Sequence, residues 1–254
     1  MTAVERRLPF EGIQNFRDLG GYPTVDGGSV RWRQVFRADA LHKLTEPDVE
    51  AFGRLGMRTV YDLRGDVERT EFPNPFESVH LSIVGRPEDA ELPPPPPDMT
   101  AADGEAMLRD MYVGALVHSA AKFGQLLTGL ADPERLPAVF HCHGGKDRTG
   151  ITAALFLRAL GVDDETVLDD YEATRHYRKT EHQQDSLAKM LAAGVTPEAA
   201  GGVLGAPRWA MAAALTSIET TYGGIEAYLT NVAGMSVGTL ERLRELHVQH
   251  GTDS

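Results

Sequence analysis

The stretch His141-Cys142-His143-Gly144-Gly145-Lys146-Asp147-Arg148-Thr149-Gly150 decides how the rest of the chain is read. Before it stands Pro137-Ala138-Val139-Phe140, a short apolar run of strand length. After it stands Ile151–Leu160, apolar enough for a core helix and stopped by Gly161. The ten residues therefore form a strand-to-helix turn. Backbone N–H groups in such a turn, with the first turn of the helix, converge on one point and attract an anion. Cys142 is the only cysteine of the chain, and five residues separate it from Arg148. A thiolate there is stabilised by the same field and by the Arg148 charge. Arg148 also offers a fork for two phosphate oxygens. A thiolate nucleophile inside a phosphate cradle is the apparatus of a cysteine-dependent phosphatase.

Neighbouring residues take roles from their positions. Thr149 is placed to donate its hydroxyl to the sulfur, or to satisfy a helix N-terminus. His141 precedes the thiol on a strand, so its side chain points away from that of Cys142 and orients the loop from behind. For the same reason His141, Cys142 and His143 make a poor metal set, and no Cys-x-x-Cys or His-Glu-x-x-His pattern supplies partners. Nor is Gly145-Lys146-Asp147 a nucleotide-binding loop. That motif needs Ser or Thr after the lysine and a glycine five positions before it, where this chain has Asp147 and His141.

The loop resembles the HC-x-x-GKDRTG signature of the bacterial tyrosine/serine phosphatase family of the mycobacterial protein tyrosine phosphatase B type. The resemblance extends to Asn15–Tyr22 (NFRDLGGY), Val35–Arg37, Val60–Arg64, Tyr222–Leu229 and Leu240–Arg244, and is poor over residues 83–130 and 172–208. It implies a cysteine-phosphatase fold with a helical lid and hydrolysis of phosphate monoesters through a cysteinyl-phosphate intermediate. Cys142 would be the nucleophile and Arg148 the phosphate ligand. Asp147 would be the general acid, with Thr149 assisting at the sulfur, and Asp62 and Asp110 are its rivals. His143, Gly144, Gly145 and Lys146 would complete the phosphate cradle. No metal or organic cofactor is implied. A phosphorylated protein, phosphotyrosine first, is the expected substrate. Family members with lysine at the place of Lys146 resemble lipid phosphatases in this loop, which makes phosphoinositide the second choice. Two other classes stay open: a sulfurtransferase, which also sets a cysteine in an anion-binding loop, and a non-catalytic phosphate-binding module.

Bulk properties narrow the setting. A chain of 254 residues can bury one sizeable core, and a single domain over 1–254 is the default. The net charge of −12 argues against a nucleic-acid partner and against steady attachment to anionic lipid. One cysteine excludes an internal disulfide and fits a reducing compartment. With no long apolar run and no signal-peptide core, the expected location is cytoplasmic.

Outward from the loop, the pattern predicts an α/β fold: a small, mainly parallel sheet flanked by helices, then a large helical C-terminal part. Thr45 and Asp48 form a capping box ahead of Val49, Phe52 and Leu55, and Met57–Leu63 follows as a strand. Asp62 ends that strand and either faces the phosphate site, as ligands do beyond strand carboxyl ends, or leaves Arg64 to pair with Glu68. Asn15–Tyr22 reads as a ligand loop or as a turn covering the core. Met107, Met111 and Ala115 mark a helix within 102–130, and Pro93–Pro97 a stiff surface linker. The polar stretch with Arg175, His176, Arg178, Lys179 and His182 is a solvated face or, with 172–208, the lid.

Overall fold

Strand β6 (Ala138–His141), which delivers the loop, is the central strand of the main sheet, buried along its whole length. The computed structural model describes residues 5–86, 96, 98–177, 184, 187, 188, 190–204 and 206–251. In chain order the strands are β1 (Arg17–Asp18), β2 (Ser29–Val30), β3 (Val35–Ala38), β4 (Thr59–Asp62), β5 (Val79–His80), β6 and β7 (Val248–Gln249). The main sheet runs β1-β3-β6-β4-β5, parallel throughout except for the antiparallel pairing of β1 with β3. A second ladder, β2 with β7, ties the two ends of the chain together.

The register fixes which side chains meet. Ala38, His141 and Asp62 lie side by side at the carboxyl ends of β3, β6 and β4. Side chains alternate across a strand, so these residues share a face with Phe36, Val139 and Val60. That face packs into the smaller core, with Phe16 and Phe52. The opposite face carries Phe140 and Tyr61, and Cys142 joins it in the larger core. The expected opposition of His141 and Cys142 is thus set by the pleat.

Helices cover both faces, as a parallel sheet requires. On the smaller side lies α1 (Glu46–Arg54), started by the Thr45–Asp48 capping box; α2 (Asp66–Glu71) follows β4. The larger core is built by α3 (Ala101–His118), α4 (Ala120–Leu130), α5 (Asp147–Ala159), α6 (Asp164–Tyr177), α7 (Pro197–Leu204), α8 (Arg208–Tyr222) and α9 (Val237–His247). Asp163 caps α6 by accepting from Thr166 N–H, and Thr196 caps α7 by accepting from Ala199 N–H.

The helix expected within 102–130 is two helices that meet at Ser119. The buried stripe of α3 is Gly104, Leu108, Tyr112, Ala115 and Leu116, while Met107 and Met111 are exposed. The helix is apolar on several faces, so spacing alone picked the wrong stripe. Of the proline run only Pro96 is described, and Arg178, Lys179 and His182 lie outside the described residues. Among the described residues no helix is long and apolar enough to cross a membrane.

Candidate active site

Cys142 sits one residue beyond the central strand and is 2% exposed, at the floor of the loop. Helix α5 starts at Asp147, so the amides of its first turn have no intrahelical acceptor. Gly145 shapes the turn. Its φ is +61°, and a Cβ there would come within 2.8 Å of the Ala38 carbonyl oxygen, so both conformation and space require glycine.

The loop is gripped from outside by buried side chains. The Gly145 carbonyl accepts from Asn15 Nδ2 at 2.7 Å and from Arg37 Nη2 at 2.9 Å. Ala40 N–H donates to the His143 carbonyl at 3.1 Å. Arg37 in turn meets Asp170 Oδ2 at 2.5 Å, and Arg17 Nε donates to Asp170 Oδ1 at 2.9 Å. Tyr22 donates to the same carboxylate, and Arg17 donates to Asn15 Oδ1. Burial pushes the Asp170 carboxyl up, but Arg17 and Arg37 outweigh it and hold it well below the usual carboxylate range. Asn15–Tyr22 covers the core with Phe16 and Leu19, as one of its two readings expects, and does more. It is a brace whose buried charges fix the loop.

Arg148 carries the second feature that spacing did not reveal. Its Nη1 and Nη2 donate to Glu68 of α2 at 2.5 and 2.9 Å, an end-on fork. Burial pushes the Glu68 carboxyl up, but the Arg148 hydrogen bonds and charge overcome it and hold it at about 2. Among the described residues the Nε edge of the guanidinium has no hydrogen-bond partner, and that edge has the geometry to take an oxyanion. The expected alternative, an Arg64–Glu68 pair, is not formed. Arg64 instead donates to both oxygens of Asp62, at 2.9 and 2.7 Å. The reason is reach: Glu68 stands on the helix that faces the loop and also caps it through Gly65 N–H.

Asp62 accordingly does not face the phosphate site. It is buried behind the loop, where Asn74 donates both to Asp62 Oδ2 and to His141 Nε2. His141 Nδ1–H then donates to the Cys142 carbonyl at 3.1 Å. Burial holds the His141 imidazole down at about 4, so it is neutral near pH 7 and the tautomer is fixed by these bonds. Both residues act on the loop from behind.

The remaining loop residues divide. His143 sets its ring near His42 and Phe72, with Nδ1 4.0 Å from Glu68. Gly144 and Gly145 bring backbone alone. Lys146 is 5% exposed, and its ammonium donates to the Val203 carbonyl at 2.8 Å and lies 3.3 Å from Asp147 Oδ1. It thus binds α7 rather than an open cradle. Helix α7 rests against the loop through this contact. It is fastened to α3 where Ala199 packs on Gly104 and where Thr196 donates to the Met99 carbonyl. The Thr149 hydroxyl is fully buried and makes no hydrogen bond among the described residues, so the expected bond to the sulfur is not formed here. Asp147 is half-buried at the start of α5 and accepts from Tyr112. Its rival Asp110 is a surface residue paired with Arg109. No group of three or more His, Cys, Asp or Glu that could hold a metal ion is found among the described residues.

A cysteine at the end of a central parallel strand, an arginine at the start of the following helix and a brace around the turn define a cysteine-phosphatase loop. The chain belongs to the tyrosine phosphatase family, whose model matches residues 8–249. It is similar to the triple specificity protein phosphatase PtpB of Mycobacterium tuberculosis, 28% identical over an alignment 277 positions long that spans 94% of this chain and 97% of that one. A tyrosine-protein phosphatase of Nostoc commune is 30% identical over 220 residues, 82% of this chain and 72% of that one.

Proposed function

We propose that the protein hydrolyses phosphate monoesters, phosphotyrosine in proteins before others, by two in-line displacements at Cys142. In the first, the Cys142 sulfur forms a bond to phosphorus as the bond to the ester oxygen breaks. Loop amides and the Nε edge of Arg148 hold the three equatorial oxygens, where negative charge must be stabilised. Asp147 gives its proton to the departing oxygen. In the second, a water attacks phosphorus, Asp147 takes the water's proton, and the S–P bond breaks to return the thiolate and release inorganic phosphate. Asp62 and His141 keep the loop in shape and touch no substrate.

The observation that carries this reading is the arginine held ready. Arg148 is fixed end-on by Glu68 beside a buried thiol, and among the described residues its Nε edge has no hydrogen-bond partner. A sulfurtransferase needs no such fork, and a binding module needs no thiol. Phosphoinositide remains the second substrate class, supported by Lys146 in the loop, and is weakened by its engagement with Val203.

The test is a panel of phosphotyrosine peptide, phosphoserine peptide and phosphoinositide vesicles, with and without chelator, beside a thiosulfate–cyanide assay. Phosphotyrosine should turn over fastest, chelator should have no effect, and Cys142→Ser should bind phosphopeptide without turnover. Thiocyanate formation in place of phosphate release, or activity lost to chelator and restored by a divalent ion, would sink the proposal.

A further inference from the structure

Two phenols, supplied by helices far from the loop in sequence, converge on Asp147. Tyr112 of α3 is fully buried, and its hydroxyl donates to Asp147 Oδ1 at 2.6 Å. Tyr171 of α6 is 1% exposed, and its hydroxyl lies 2.5 Å from that of Tyr112. The rings pack edge to face, with centroids 6.1 Å apart at 87°. A phenol that gives its proton to a carboxylate can only accept from the other phenol. The chain of donation therefore runs Tyr171 to Tyr112 to Asp147.

Room for the pair is built into the loop motif. A Cβ at Gly150 would come within 2.9 Å of Tyr171 Cδ2, so the last glycine of the motif is where the Tyr171 ring rests on α5. Buried hydroxyls are costly unless satisfied. Here the Tyr112 hydroxyl is satisfied by the Asp147 carboxyl on one side and the Tyr171 hydroxyl on the other.

We infer that Tyr112, oriented by Tyr171, is a positioning residue for proton transfer by Asp147, fixing which oxygen carries the proton. The Tyr112 hydroxyl donates to Oδ1, and the Lys146 ammonium lies 3.3 Å from the same oxygen. Among the described residues no donor falls on Oδ2. In the protonated acid, Oδ1 is then the carbonyl oxygen, held by the Tyr112 hydroxyl and faced by the Lys146 charge, and Oδ2 bears the proton that moves to the departing oxygen. After transfer, Oδ2 is the oxygen that takes the proton of the attacking water. Burial pushes the Tyr112 phenol up, and the Asp147 charge adds to this. Tyr112 therefore stays protonated as a donor and is not itself the acid.

This inference rests on the assignment of Asp147 as general acid, and the experiment separates the two. Tyr112→Phe, Tyr171→Phe, Asp147→Asn and the double variant Tyr112→Phe/Asp147→Asn are assayed on phenyl phosphate and on a fluorinated coumarin phosphate. The first has a basic leaving group that needs a proton, and the second does not. Tyr112→Phe should lower kcat/KM for phenyl phosphate by about tenfold, the scale of one hydrogen bond to a charged group, and cost the coumarin ester far less. Tyr171→Phe should show the same selectivity at smaller size. The double variant should be no slower on phenyl phosphate than Asp147→Asn alone. Equal losses on both substrates in either tyrosine variant, or losses that multiply in the double variant, overturn the positioning role while leaving Asp147 as the acid. If Asp147→Asn itself shows no dependence on the leaving group, the acid lies elsewhere and both assignments fall.

Discussion

Replacing Glu68 by Gln tests whether Arg148 is held for phosphate or withheld from it. The carboxyl stands at about 2 against an ordinary 4.5, a gap worth about 3 kcal/mol at about 1.36 kcal/mol per decade. The two side chains are 27% and 33% exposed, and water screens such a pair, which lowers this to roughly 1.5–2 kcal/mol. Glutamine keeps one acceptor but turns amide hydrogens toward the guanidinium, so the end-on fork is broken. If that energy places Arg148 in the transition state, kcat/KM for an aryl phosphate should fall by about 10–30-fold. The inhibition constant of inorganic phosphate should rise by a similar factor. The assay is steady-state hydrolysis at pH 7 with phosphate as competing inhibitor, where the wild-type carboxylate is fully ionised. Unchanged kcat/KM and unchanged inhibition would refute the orienting role. Tighter phosphate binding in the variant would show that Glu68 competes with substrate for Arg148.

Two further outcomes concern stability. Asp170→Asn should destabilise the fold by about 3–5 kcal/mol, because Arg17 and Arg37 are both fully buried against that carboxylate. A fall of less than about 1 kcal/mol in urea titrations would show that the brace is not held by charge. Acid should weaken the protein before its carboxylates titrate. His141 and His247 are buried and held down at about 4, so below pH 6.5 the unfolded chain binds protons that the folded one refuses. Stability from this source is full above about pH 6.5 and is lost as pH falls toward 4. It amounts to about 2 kcal/mol for each histidine by pH 5. Urea midpoints that stay level from pH 7 to pH 5 would contradict it.

The strand-to-helix turn was legible because its signals are local: an apolar run, a thiol, glycines and an arginine at fixed spacing. The parallel sheet followed from the alternation of apolar runs and capped helices, and the capping box at Thr45 and Asp48 formed as its sequence pattern requires. What escaped were partners chosen by tertiary packing. Glu68 meets Arg148 across 80 positions, and Asp170 meets Arg37 across 133; no periodicity encodes such a pairing. A signal for the second did exist. Arg37 interrupts the apolar strand Val35–Ala38, and a charge inside a buried strand must find a counter-charge. Asp62, read as facing the phosphate site or as leaving Arg64 to Glu68, does neither, and for the opposite reason. The end of a parallel strand does point toward ligand sites, but Arg64, two residues on, took the carboxylate first.

The grip on the Gly145 carbonyl reaches further than anchoring. In a trans peptide the oxygen and the hydrogen of one unit point opposite ways. Asn15 and Arg37, by holding that oxygen from outside, turn the Lys146 N–H toward the hollow of the loop. Ala40, holding the His143 oxygen, does the same for the Gly144 N–H. Acceptors tethered at the rear are thus donors aimed at the front, and the dipoles are set before any anion arrives. Their alignment costs nothing at the moment of binding, because folding has already supplied it.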